Sequence, residues 1–198
     1  MSLPLHSQER QLVHRRAISV EIFTRADGLW EVDATLLDTK NRDIPLANGV
    51  RAAGMPIHDM LLRLVVDDQF NILAAGSLTR AMPYPGQCNQ LPDGYSGLVG
   101  MNLLRGFRAA IKARFAGVNG CTHISELAQV LPTAVIQAFA GIVLDTKEGS
   151  VDGGPPFQID RCHALRREGE AVRVHYPRWY RPASPAVSKA LPADTTLS

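Results

Sequence analysis

From Ala17 to Arg25 the apolar residues Ile18, Val20 and Ile22 alternate with Ser19 and Glu21, the period of a half-buried strand. After the Ala-Asp-Gly turn, Trp30, Val32, Ala34 and Leu36 alternate with Glu31, Asp33 and Thr35, so the two segments form a hairpin with Gly28 near its tip. Asn, Asp, Pro and Gly punctuate residues 40–56, which read as a connecting loop. IHDMLLRLVVDD then predicts a third strand, and ILAAGSLTRAM a fourth that returns antiparallel, weakened by Ala74, Ala75 and Gly76.

Beyond the turn-rich PYPGQCNQLPDG the period changes. Val99, Leu103, Phe107, Ile111 and Phe115 recur at steps of four along one helical stripe, with Gly97, Gly100 and Gly106 as costs. THISELAQVLPTAVIQAFAGIV predicts a second helical region, capped by Thr122 or Ser125, with Pro132 as a break or a new start. Strands followed by helices point to an α+β fold: an antiparallel sheet of about four strands in two hairpins, with two helical regions on one face. After Gly149 the composition shifts. Phe157, Ile159, Leu165, Val172, Val174, Tyr176, Trp179 and Tyr180 give this piece enough apolar surface to dock, and ALRREGEAVRVHY suits a hairpin about Glu168-Gly169. The expected organisation is a single domain over 10–181 and a disordered Pro, Ala and Ser tail over 183–198.

Hydrophobic residues make up 45% of the 198-residue chain and charged residues 20%, an ordinary globular mixture that folds without a disulfide or metal to hold it. A net charge of +2 argues against a nucleic-acid partner; the late arginines, interspersed with Glu168 and Glu170, read as solvated surface. MSLPLHSQERQLVHRR lacks the apolar core of a secretory signal, and no run approaches the roughly 20 apolar residues of a membrane span. A cytoplasmic protein is expected, and its three cysteines are expected to be free thiols or metal ligands.

The chemistry concentrates in three cysteine–histidine elements. Cys121 and His123 lie in CTH, Cys162 and His163 are adjacent, and Cys88 closes the turn PYPGQC. Thiolate and imidazole are the ligands that zinc and iron favour, and such sites draw on distant segments. No CxxC pair and no HExxH helix is present, and small buried thiols beside backbone-bonded histidines account for the same residues. A second reading makes Cys121 a nucleophile at a helix start, with His123 as base and Glu126, three residues on, orienting the imidazole. PIHDM sets His58 and Asp59 at a strand mouth, where regular geometry sends them to opposite faces. No GxGxxG, P-loop or GxSxG motif occurs, which removes motif support for nucleotide cofactors and serine hydrolysis.

GLWEVDATLLDTK at 28–40, PIHDM at 56–60, PYPGQC at 83–88, GCTHISEL at 120–127 and DRCHALRREG at 160–169 resemble one bacterial family, domain of unknown function number twenty-eight eighty-nine. The resemblance extends over about residues 10–181. It implies that the cysteine–histidine elements act together and that the stretch around Cys162 is part of the folded unit. The layout is also similar to iron–sulfur cluster scaffold proteins, which implies ligand places at His58 or Asp59, at Cys88, and at Cys121 or His123.

Three functions compete. In the first, zinc or iron is held by residues from among His58, Cys88, Cys121, His123, Cys162 and His163, with Asp59 and Glu126 as orienting groups or the general base for metal-bound water, and, as an enzyme, the protein takes a small metabolite as substrate. The second is a metal-free enzyme with Cys121 as nucleophile. The third is a non-catalytic accessory protein with an apolar patch around Trp179 and Tyr180.

Overall fold

The computed structural model describes residues 9–90, 94–147 and 153–183. It divides into two compact units between Ala138 and Phe139. The tail expected from residue 183 lies, beyond Ala183, outside the described residues, as does the composition break at Gly149.

The first unit is α+β. Its sheet is antiparallel and four-stranded, in the order β1 (His14–Thr24), β2 (Trp30–Lys40), β5 (His58–Val66) and β6 (Ile72–Ala81). The alternation along β2 and β5 places Val32, Ala34, Leu36, Met60, Leu62 and Leu64 on one buried face. Leu98, Leu103, Phe107, Ile111, Ile124, Leu127 and Leu131 complete the core from the chain that follows the sheet. No described helix is long and apolar enough to cross a membrane.

The connection at 40–56 is more ordered than its punctuation suggests. Ile44–Leu46 (β3) and Gly49–Arg51 (β4) pair as a small hairpin, turned at Ala47-Asn48 with Gly49 at φ 132°. The helical stripe begins later than its spacing predicts. Gly100 and Gly106 take φ 84° and 67°, a conformation no α-helix contains, so Val99 is left exposed and α1 runs only from Phe107 to Phe115. Pro132, expected as a break or a new start in the second helical region, lies inside α2 (Thr122–Phe139). It removes one N–H from the ladder, but Leu127, Ala128, Leu131 and Val135 around it are fully buried, and that packing outweighs the lost bond.

Gly120 sets the approach of α2 to the end of α1. Its φ of −158° is open to any residue, but an added Cβ would stand 2.6 Å from the Phe115 carbonyl oxygen and 2.8 Å from the Phe115 Cβ. Gly120→Ala is therefore expected to lower stability by about 1–3 kcal/mol in urea titration. A loss below ~0.5 kcal/mol would show that the junction yields freely.

In the second unit the hairpin expected about Glu168-Gly169 is absent. Gly169 caps a short helix, α3 (Glu170–His175), in which Glu170 pairs with Arg173 and Val172 is buried. The preceding stretch is held in turns by Asp160, which sits at φ 61° and accepts the Arg167 backbone N–H at 2.8 Å, leaving no strand for Val172 and Val174 to join. Trp179 and Tyr180 are half-buried, and Arg178 lies over the Trp179 ring at 4.8 Å.

Candidate functional site

The core face of the sheet ends in a polar row. Asp38 lies two residues beyond Leu36, in phase with the buried set of β2, and pairs across the sheet with Arg16 on β1 and His58 on β5. Only 2% of Asp38 is exposed, and it is the one buried charged residue among those described. A carboxylate buried this way stays ionised only if its lone pairs are occupied. Arg16 donates to both oxygens, Nε to Oδ1 and Nη2 to Oδ2, each at 2.8 Å. His14 Nε2 lies 3.2 Å from Oδ1 and His58 Nδ1 lies 2.9 Å from Oδ2. Burial alone would push the Asp38 carboxyl up, but the bonds from Arg16 and His58 outweigh it and hold it at about 2.

The start of α2 brings the remaining groups. The buried Tyr95 hydroxyl accepts the Cys121 N–H and donates to the Cys121 carbonyl, both at 2.9 Å, and lies 3.2 Å from Ser125 Oγ. This fixes the residue that opens the helix, and with it His123 one step inside. The His123 ring lies against His58, centroids 3.8 Å apart, with Nε2 3.9 Å from Asp38 Oδ2 and Nδ1 3.9 Å from Cys121 Sγ. Burial lowers the His123 pKa, and the neighbouring His58 and Arg16 add to the effect against Asp38 and Glu126, so the ring is neutral at pH 7. Arg16 also reaches α2, where Nη1 donates to Glu126 Oε2 at 2.6 Å. One guanidinium thus braces the carboxylate of β2 to the first turn of the helix that carries His123.

Asp38, His58 and His123 each offer one ligand atom, and the three atoms lie within 4.8 Å of one another. A tetrahedral ion with bonds near 2.1 Å needs ligand atoms about 3.4 Å apart. The 2.9 and 3.9 Å separations from Asp38 Oδ2 straddle that value. To hold an ion, His58 Nδ1 would have to be unprotonated, with the ring proton on Nε2.

Residues 14–137 match the model of a family described as Protein of unknown function (DUF2889). The chain belongs to that family. The DUF2889 match includes His14, Arg16, Asp38, His58, Cys88, Cys121, His123 and Glu126, but stops short of the DRCHAL stretch assigned to the family on resemblance. Searches among curated proteins and solved structures gave no match, and the likeness in layout to iron–sulfur scaffolds finds no support there.

Within the DUF2889 region, His58 and His123 meet at Asp38, with Cys121 beside His123. Asp59 alternates to the opposite face and pairs with Arg80 at 3.3 Å, while Glu126 bonds Arg16. Cys88 is half-buried and shares a cavity wall with Cys121. Cys162 and His163 belong to the second unit, where Cys162 is exposed and His163 Nε2 lies 3.1 Å from Arg166 Nη1. Asp38, Arg16 and His14 are additions that the motif reading passed over. Their signal was available in the alternation, since Asp38 and Arg16 continue the apolar phase of their strands.

Proposed function

We propose that this chain binds one transition-metal ion, zinc or ferrous iron, through Asp38, His58 and His123. The observation that carries the reading is the convergence of these three ligand atoms, from two strands and a helix start, within 4.8 Å. Two imidazoles and one carboxylate leave coordination positions open, the arrangement of catalytic zinc and of non-haem ferrous sites, and unlike a closed structural site. His123 would bind through Nε2 and direct its Nδ1–H toward Cys121 Sγ, so Cys121 orients a ligand and does not itself bind the ion. Arg16 would fix the Asp38 carboxylate, and Glu126 would fix Arg16. Open positions on such an ion support metal-assisted chemistry on a small molecule.

Cobalt(II) titration of chelator-treated protein tests this reading. The expected result is visible absorption that saturates at about one equivalent and weakens as pH falls and protons compete for the imidazoles. No absorption at any ratio would overturn it.

A second reading is favoured by the line Cys121 Sγ, His123, Asp38, with both gaps at 3.9 Å. Nucleophile, base and orienting carboxylate take this order in cysteine enzymes, and apo geometries are often loose. The two readings require opposite tautomers: Nδ1–H on His123 for the metal and Nε2–H for the thiol enzyme. Nitrogen-15 chemical shifts of the His123 ring separate them.

A further inference from the structure

Two sulfurs meet at the far edge of the His123 ring. Met60 follows His58 by two residues on β5, so it joins the same core face, where it is 1% exposed. A methionine at such a position can fill the core with its sulfur turned in any direction. Here Sδ is turned toward α2 and lies 3.9 Å from Cys121 Sγ, and that sulfur in turn lies 3.9 Å from His123 Nδ1. A thiol, a thioether and an imidazole nitrogen therefore gather about Cys121 Sγ, at the ring nitrogen opposite the one that faces Asp38. The Tyr95 hydroxyl, bonded to both backbone polar groups of Cys121, holds the start of α2 in this place.

We infer that Cys121, Met60 and His123 Nδ1 form a second metal site, selective for a soft monovalent ion, Cu(I). The donor set gives the class. A thioether adds little to the binding of zinc or ferrous iron, whereas a thiolate and a thioether together favour Cu(I). Spacing agrees with it. Taking the bond lengths zinc makes, ~2.3 Å to sulfur and ~2.0 Å to nitrogen, a three-coordinate ion sets two sulfurs about 4.0 Å apart and sulfur and nitrogen about 3.7 Å apart. Both 3.9 Å gaps at Cys121 lie close to those values. Charge balances as well, because Cu(I) displaces the Cys121 thiol proton and the thiolate cancels the ion, which suits a site walled by a buried thioether. His123 Nδ1 must be unprotonated to bind, with the ring proton on Nε2. The Asp38 site needs the opposite tautomer, so the two ions exclude one another at His123. Nothing else in the soft set depends on Asp38 or His58.

Anaerobic titration of the metal-free full chain with Cu(I), in competition with the coloured chelator bicinchoninate, tests the site. The chain is expected to withdraw about one equivalent of copper. Cys121→Ala should weaken this binding at least ~100-fold and Met60→Leu about tenfold, the latter with cobalt(II) affinity within about twofold of the unaltered chain. Met60→Leu conserves volume, so the core tolerates it. Cys162→Ala should change nothing. Copper X-ray absorption of the unaltered chain supplies a readout that needs no variant, and is expected to show two sulfur neighbours and one nitrogen. A chain that withdraws no copper, binding that follows Cys162 instead of Cys121, indifference to Met60→Leu, or a copper shell without two sulfurs each overturns the soft site. Cobalt absorption that survives a bound equivalent of Cu(I) overturns the sharing of His123. Copper binding without cobalt binding would leave the soft site standing and sink the Asp38 reading, whereas cobalt binding without copper binding would do the reverse.

Discussion

Replacing Asp38 by Asn is expected to lower the stability of the metal-free protein by about 3–5 kcal/mol, a large share of the total for a domain of this size. The carboxylate is 2% exposed and receives four hydrogen bonds, from Arg16 twice, His14 and His58. The amide keeps the shape but removes the charge and turns a donor toward donors, leaving Arg16 only the more exposed Glu126 carboxylate. Asp33 provides the control. It faces the other side of the same strand and pairs with the half-exposed Arg63, so Asp33→Asn should cost less than ~1 kcal/mol. Chemical denaturation at pH 7 measures both, and equal costs would refute the special status of the Asp38 row.

The same residue sets an acid limit. Its folded-state pKa of about 2 is below the ordinary value of 3.8, so the ionised form favours folding. That contribution, about 2 kcal/mol, is complete above pH ~4 and is lost as the pH falls toward 2. In the Asn variant this part of the acid loss should be missing.

Removing either imidazole from the cluster is expected to weaken metal binding by more than about 100-fold, the largest functional effect predicted. His58→Ala and His123→Ala each delete a ligand, whereas Cys121→Ala deletes only the partner of His123 Nδ1 and should cost roughly 10–100-fold. Cys162→Ala and His163→Ala should leave the cobalt affinity unchanged, since neither joins the three-ligand cluster. Competition titration against a chelator gives the order. A loss at Cys162 equal to that at His58 would contradict the assigned ligand set.

Much of this was legible in the sequence, and the part that was not has a physical cause. Period-two alternation located β1 and β2, and the turn residues between IHDMLLRLVV and ILAAGSLTRAM located β5 and β6. The small β3–β4 hairpin has no buried face, and its three-residue strands carry no period to read. The helical stripe was correct from Phe107 onward, with Leu103 buried ahead of the helix, but spacing alone does not report that Gly100 and Gly106 adopt positive φ. In the site, His58, Cys121 and His123 stood out as recognised ligand types in compact motifs. Asp38 did not, because DTK at a strand end looks like solvated surface until its phase is compared with Leu36. Arg16 needed the pairing of β1 with β2 as well, and that long-range fact is not written in any local motif. Cys162 and His163 lie in the second unit and are not among the three residues of the cluster, Asp38, His58 and His123.

The most direct test of the metal assignment is elemental analysis of freshly purified protein, made without chelators or nickel columns, beside the Asp38→Asn and His58→Ala variants. About one zinc or iron per chain, falling below a tenth of that in both variants, is the predicted result. Unaltered protein with less than about a tenth of an equivalent, or variants that keep the full metal content, would contradict it.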